Sequence, residues 1–413
     1  MRRNSVPVVA MILAGGRVDE LSVLTFYRPK AAVPFGGLYR VIDFPVTNLM
    51  RSGIFCCGVL SQYRPYSLMN HLDHGIPWDM FGRRRGIYIL PPFWGHEASD
   101  WYRGTADAVY QNLEFIRRWS PELVLVLSGD HVYSMDYRPL LEFHREMGAD
   151  LTVAFTRVPE DTAHRFGQGV IEFLKPFGGP LKDYREKVSP PVSDLASLTI
   201  YVFRPEVLEE VLLANARADS HEFGRDVIPQ MVGNYKVFGF VHQGYWGYTR
   251  TIEEYWQTHM DLLGPNPKID LARWRVCTNL ANRDVRDRQP TILGRNATIC
   301  DALFYNGSVI EGEVIRSVLF PGVKVERGAQ VKDSVLLHDT VVRKGARLER
   351  TVTDTEVEIG EGAVIGGEEA VTVIGRRTLI PAELRLDPGV VVHPGLRPEN
   401  FDRQSYSTGA VVR

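Results

Sequence analysis

Beyond about residue 290 the chain repeats a six-residue step, and few folds accept one. Leu319, Val325, Val331 and Leu337 form one ladder, and Val323, Ala329, Val335 and Val341 form a second. Glycines keep the same interval at Gly322 and Gly328, and again at Gly360 and Gly366. A hexapeptide period suits a parallel β-helix, in which each short strand forms one side of a triangular coil and small or branched residues stack inside. The spacing therefore predicts a β-helix domain over residues 291–413, ending in a C-terminal tail.

The first part of the chain has a different rhythm. From residue 1 to about 262, the apolar runs VPVVAMIL, FCCGVL, LVLVLSG, ADLTVAF and SLTIYVF alternate with segments of helical period. Thr105 to Trp119 places Ala108, Val109, Leu113 and Ile116 on one face, and Tyr137 to Met147 is a second such segment. That alternation implies a mostly parallel α/β sheet. Gly264-Pro265-Asn266-Pro267 then ends it, because neither a helix nor a central strand continues through two prolines and a glycine in four residues. Two domains follow: residues 1–262, a linker over 263–290, and the β-helix. At 413 residues the chain also exceeds what one hydrophobic core holds.

Composition narrows the function classes. Apolar residues are 44% and charged residues 24%, as in globular proteins, and a net charge of −2 gives no general attraction to nucleic acid or anionic membrane. Phosphate recognition must then be local. Cys56, Cys57, Cys277 and Cys300 form no CxxC pair, and Cys56-Cys57 lies in an apolar run that reads as a buried strand. Arg2-Arg3 before an apolar stretch imitates a signal peptide, but Pro7 to Leu13 reads better as a first strand feeding a glycine turn. The sequons at Asn296 and Asn306 would matter only in a secreted chain. No apolar run is long enough to span a membrane, and a cytoplasmic location is expected.

Several segments carry chemistry. Leu13-Ala14-Gly15-Gly16 ends the first strand with paired glycines that let backbone approach a ligand, without the further glycines of a dinucleotide fingerprint or the Gly-Lys-Ser/Thr ending of a P-loop. Arg28-Pro29-Lys30, Phe35-Gly36-Gly37, Arg40 and Asp43 follow, with Lys30 as a fixed cation near that turn. Gly104-Thr105 opens a helix whose backbone donors suit a nucleotide base. Ser128-Gly129-Asp130 places a carboxylate at the carboxyl end of a strand, where open α/β sheets bind ligands and where an aspartate can hold Mg²⁺ on phosphates.

Taken in order, LAGG, RPKAAVPFGGLYRVIDFPVTN, QYRPYSL, WYRGTADAVYQN, SGDHVYSMDY, FGQGVI, DLASLTIYVF, SHEFGRDVIP, GYW…TIEEYW and SVLFPGVKVERGAQVKDSVL resemble the ADP-glucose pyrophosphorylase (glucose-1-phosphate adenylyltransferase) family over nearly the whole chain. The resemblance implies a Rossmann-like, GT-A-like nucleotidyltransferase domain and a left-handed parallel β-helix. It implies attack of a glucose-1-phosphate oxygen on the α-phosphorus of ATP, with loss of pyrophosphate and with Mg²⁺ as cofactor. Carried over by position, Lys30 faces phosphate and Asp130 binds metal. Leu13, Ala14, Gly15, Gly16, Gly104 and Thr105 meet the nucleotide. Tyr102, Gly167, Ser197 and Asp226 fall on the sugar side, joined by Glu186 and Lys187 of Tyr184-Arg185-Glu186-Lys187. Lys175, in Glu172-Phe173-Leu174-Lys175-Pro176, competes with Lys187 for the sugar phosphate.

Three positions depart from the family's pattern. Where it reads Arg-Gly-x-Arg-Leu after the glycines, this chain has Arg17-Val18-Asp19-Glu20-Leu21, so Glu20 replaces a cation. Two like charges at about 4 Å cost on the order of 1 to 4 kcal/mol, depending on screening. Tyr248 replaces a metal-binding aspartate in Gly244-Tyr245-Trp246-Gly247-Tyr248-Thr249-Arg250-Thr251, and Thr199 replaces a glycine beside the sugar site. Asp19, Arg17 or Arg250 are candidates to take over a lost role. The expectation is a weakly active or regulatory subunit that joins a homo- or hetero-tetramer with a catalytic homologue and answers to an allosteric metabolite effector. The alternatives are a fully active adenylyltransferase and a nucleotidyltransferase for another sugar.

Overall fold

The computed structural model describes residues 6–16, 18–93 and 101–413; Arg2, Arg3 and Arg17 lie outside them. Two compact units result, and they do not follow chain order. One comprises residues 6–16 and 44–246, the other residues 18–43 and 247–413.

The first unit is organised by a nine-stranded sheet. Its strands are β1 (Val8–Leu13), β2 (Cys56–Leu60), β3 (Gly86–Leu90), β4 (Leu123–Ser128), β5 (Leu151–Arg157), β6 (Gly167–Ile171), β7 (Gly178–Glu186), β8 (Leu195–Phe203) and β9 (Val237–Val241). Their order is β3-β2-β1-β4-β8-β5-β9-β7-β6, and all but β7 and β8 run in one direction. β1 and β4 read as unbroken apolar runs because both faces of a central parallel strand are covered. Leu13 pairs with Leu60 on one side and Ser128 on the other, so the glycine turn and Ser128-Gly129-Asp130 leave the sheet at the same edge, the carboxyl ends of neighbouring parallel strands.

Cys56 and Cys57 are buried free thiols in β2, as the apolar run implies. The helix expected over Thr105 to Trp119 is two, Thr105–Tyr110 and Leu113–Trp119. Asn112 separates them: its φ of −111° and ψ of 19° leave the helix, while its Nδ2 donates to the Ala108 carbonyl at 2.9 Å. The apolar face is kept, with Ala108, Val109, Leu113 and Ile116 in the core.

In the second unit three parallel ladders of six, seven and seven strands form the faces of the β-helix. Stacked partners are Leu319 with Leu336, Val325 with Val342 and Val331 with Leu348, each seventeen residues on. Three six-residue steps would need one residue more. The third step is therefore short, and Val342 rather than Val341 fills the interior below Val325. Corners also stack. Gly322, Asp339 and Glu356 hold positive φ values of 81°, 58° and 58°, and Arg316, Asp333 and Arg350 repeat the pattern at another corner.

Residues 18–43 fold into this same unit. The hairpin Pro34–Phe35/Tyr39–Arg40 turns through Gly36 and Gly37 at φ 59° and 95°. Tyr305 donates its hydroxyl to the Gly36 carbonyl at 2.7 Å, and a Cβ on Gly37 would lie 1.7 Å from the Tyr305 ring. Only glycine fits both the backbone and the approach. Arg28 forms a buried ion pair with Asp354 of the β-helix. Between them and the coils, Gly264 donates its N–H to Asp301 at 2.6 Å and a short helix runs over Leu271–Trp274. Among the described residues no helix is long and apolar enough to cross a membrane.

Candidate functional site

In the sheet unit, the turn after β1 is anchored by its neighbours. Ala14 N–H donates to Leu60 O at 2.9 Å, and Tyr63 N–H donates to Gly15 O at 3.3 Å. A Cβ on Gly16 would meet nothing within 4 Å, so the turn opens onto free space on that side. At the end of β4, the Asp130 carboxylate accepts from the Ser128 hydroxyl and lies 3.3 Å from His131 Nε2. His131 is itself set edge-on against Trp246 at 5.2 Å.

Gly104 and Thr105 sit under the loop of residues 220–226. A Cβ on Gly104 would come within 2.3 Å of the His221 carbonyl, which accepts from Ala106 N–H at 2.9 Å. The Thr105 N–H and hydroxyl both donate to Glu222, and Phe223 N–H donates to the Thr105 hydroxyl at 3.0 Å. Asp226 secures the loop from below by accepting from Ser220 Oγ at 2.8 Å and Glu222 N–H at 2.7 Å. Sequence reasoning missed Glu222; only its place in SHEFGRDVIP hinted at it. Tyr102 is directed inward: its hydroxyl donates to Leu90 O at 2.8 Å and accepts from Asn112 at 3.0 Å. Burial pushes its pKa up to about 12.

A second cluster gathers at the ends of β6, β7 and β8. The Glu186 carboxylate lies in a slot between two glycines: a Cβ on Gly167 would approach its Oε2 within 2.6 Å, and a Cβ on Gly224 within 2.4 Å. Tyr184 donates to Glu186 at 3.3 Å and Lys187 Nζ stands 3.8 Å from its other oxygen. Burial raises the Glu186 pKa, against the pull of Lys187. Lys175 is elsewhere, at the tip of the β6–β7 hairpin, paired with Glu146. The register of β8 against β5 breaks between Ser197 and Tyr201, and Thr199, inside the break, sits at φ 54°. A β-branched residue in that region is strained, and it stands where the resemblance places glycine.

In the other unit, Lys30 is buried and its ammonium donates to the Tyr248 carbonyl at 2.8 Å while lying 5.0 Å from the same ring. Arg250 then joins the two departures from the family pattern. Its Nε donates to Glu20 Oε1 at 2.9 Å, and its Nη1 to the Tyr248 hydroxyl at 3.2 Å. Burial works against the Arg250 charge, but the Tyr248 and Glu20 oxygens outweigh it and hold the guanidinium above its ordinary pKa. Of the Arg28-Pro29-Lys30 motif, Arg28 is spent on Asp354. Arg40 is half-buried, which lowers its pKa to about 10, and its N–H donates to Asp43 at 2.9 Å.

Glycine turn, post-strand aspartate and hexapeptide coil together define a nucleotidyltransferase joined to a β-helix. The Nucleotidyl transferase family matches residues 9–264, and the GlmU-like, C-terminal hexapeptide family matches residues 289–373. Over 98% of both chains, the sequence is 41% identical to the glucose-1-phosphate adenylyltransferase of Thermotoga neapolitana. It is 40% identical to that of Thermomicrobium roseum, over 98% of this chain and 97% of the relative, and 34% identical to that of Acetivibrio thermocellus, over 95% of each. The chain belongs to the glucose-1-phosphate adenylyltransferase family.

Proposed function

We propose that this chain takes ATP and glucose-1-phosphate as the family does but transfers the adenylyl group weakly on its own, and acts as a regulatory subunit beside a catalytic homologue. The observation that carries this reading is the Glu20–Arg250–Tyr248 chain. A carboxylate and a phenol stand where the family's pattern has an arginine and an aspartate, and one guanidinium donates to both. In this reading residues 1–262 supply the nucleotidyltransferase part, 263–290 the linker and 291–413 the β-helix. The assembly is a homo- or hetero-tetramer in the cytoplasm, tuned by an allosteric metabolite.

The roles follow from position. Lys30 neutralises phosphate, and Leu13 to Gly16 with Gly104 and Thr105 receive the nucleotide. Gly167, Glu186, Lys187, Ser197 and Asp226, with Tyr102 behind them, shape the sugar side. Lys187 is preferred to Lys175 because it adjoins Glu186 while Lys175 is paired with Glu146. Asp130 offers a partly exposed hard oxygen, which suits Mg²⁺ completed by substrate phosphates. Bound there, Mg²⁺ would neutralise polyphosphate charge; Ser128 orients the carboxylate that holds it.

Full activity is the competing reading, favoured by Asp130 and Lys30 standing at the family's positions. Pyrophosphate release from ATP, glucose-1-phosphate and Mg²⁺ separates the two, measured with the chain alone and mixed with a homologue carrying the intact motifs. Robust turnover by the chain alone would sink the regulatory reading. Glu20→Arg combined with Tyr248→Asp should raise the rate of the isolated chain.

A further inference from the structure

Glu20, Arg250, Tyr248 and Lys30 form one continuous contact path within a single unit. The Arg250 Nε and Nη2 both reach Glu20 Oε1 at 2.9 Å, and Nη1 reaches the Tyr248 hydroxyl. Tyr248 in turn holds the Lys30 ammonium with its carbonyl and ring. Two cations thus flank one tyrosine, and an acid from the first turn of the Asp19–Thr25 segment neutralises the outer one.

We propose that Arg250 is this chain's polyphosphate-binding guanidinium and that Glu20 is its built-in competitor, an internal anion that an incoming phosphate chain must displace. The inference rests on the reading above that the site takes a nucleotide triphosphate. A planar guanidinium fork matches phosphate oxygens as well as a carboxylate, and phosphate brings more charge. The pair is placed to exchange: the Arg250 side chain is 37% exposed and that of Glu20 45%. Ion pairs so open to water are weak, and a multiply charged anion outcompetes a single carboxylate. The Asp19–Thr25 segment keeps its buried Leu21, Val23, Leu24 and Thr25 when Glu20 is displaced, so the exchange breaks only the ion pair.

Inorganic tripolyphosphate is the probe, because it carries the phosphate arm without base or sugar. Titration calorimetry on the full chain compares wild type, Glu20→Gln, Arg250→Gln and the double variant, with denaturant unfolding run on each to confirm a folded state. Glu20→Gln should tighten binding about tenfold, a difference of about 1.4 kcal/mol. Arg250→Gln should weaken binding by a similar factor, and the double variant should match Arg250→Gln. Arg250→Lys, which keeps the charge and loses the fork, should fall between and serves if the glutamine variant unfolds. The proposal is overturned if Glu20→Gln binds no tighter, if its gain survives loss of Arg250, or if no variant binds tripolyphosphate. Titrating ADP-glucose into the same proteins judges the nucleotide-sugar reading separately.

Discussion

Glu222 Oε2 accepts from both the backbone N–H and the hydroxyl of Thr105, at 3.2 and 2.6 Å. The helix start that the sequence offers to a nucleotide base is thus tied to the 220–226 loop by a carboxylate. Thr105→Ala removes the hydroxyl's bonds to Glu222 and Phe223 in a partly buried place, and should cost about 1–2 kcal/mol. Thr105→Ser should recover most of it. The shift in urea midpoint between the two variants checks this.

Thr199 lies at φ 54° in β8, where an L side chain is crowded by its own carbonyl. Thr199→Gly relieves that crowding and pays some unfolded-chain entropy, for a net gain of roughly 0.5–1 kcal/mol. A lower midpoint for the glycine variant would mean that the threonine side chain's contacts outweigh its backbone strain.

The ring of His259 is held neutral from both sides. Its Nδ1 bonds the Tyr255 carbonyl at 2.9 Å, so it carries the proton, and its Nε2 accepts from Gly36 N–H at 3.1 Å. Burial lowers its pKa to about 4. Because the unfolded chain binds the proton more readily, this contribution is whole above pH of about 6.5 and is lost as pH falls toward about 4. His259→Gln should remove roughly 2–3 kcal/mol of the acid sensitivity between neutral pH and pH about 4.5. Denaturant unfolding across that range tests it; unchanged sensitivity in the variant would assign the effect to other buried histidines.

Asp354 is fully buried, with one oxygen on Arg28 and Thr355 N–H and the other without a hydrogen-bond partner. Arg28→Met strands that charge and should cost about 3–5 kcal/mol, whereas Arg28→Met with Asp354→Leu should recover most of the loss. Equal midpoints for the single and double variants would refute a charge-based cost.

The hexapeptide period was legible because interior residues such as Val325 and Val331 recur in sequence as they stack in space. The short third step was not. Its corners demand left-handed backbone, which glycine announces at Gly322 but Asp339 and Glu356 conceal. The sheet edge was readable from LVLVLSGD, since a continuous apolar run ending in a polar turn has few other meanings. Asn112 hid the break between two helices, because its effect depends on a side chain turning back to Ala108. Glu20 and Tyr248 stood out as departures, but their meeting at Arg250 joins residues 230 positions apart, and no local pattern encodes that.

Residues 18–43 belong to the unit that residues 247–413 complete. Arg28 waits for an acid 326 residues downstream. At ordinary elongation rates that is roughly 16 to 65 s during which the Arg28 guanidinium lacks the carboxylate that it pairs with in the fold. Lys30 likewise meets the carbonyl and ring that hold it only when Tyr248, 218 residues further on, has been made.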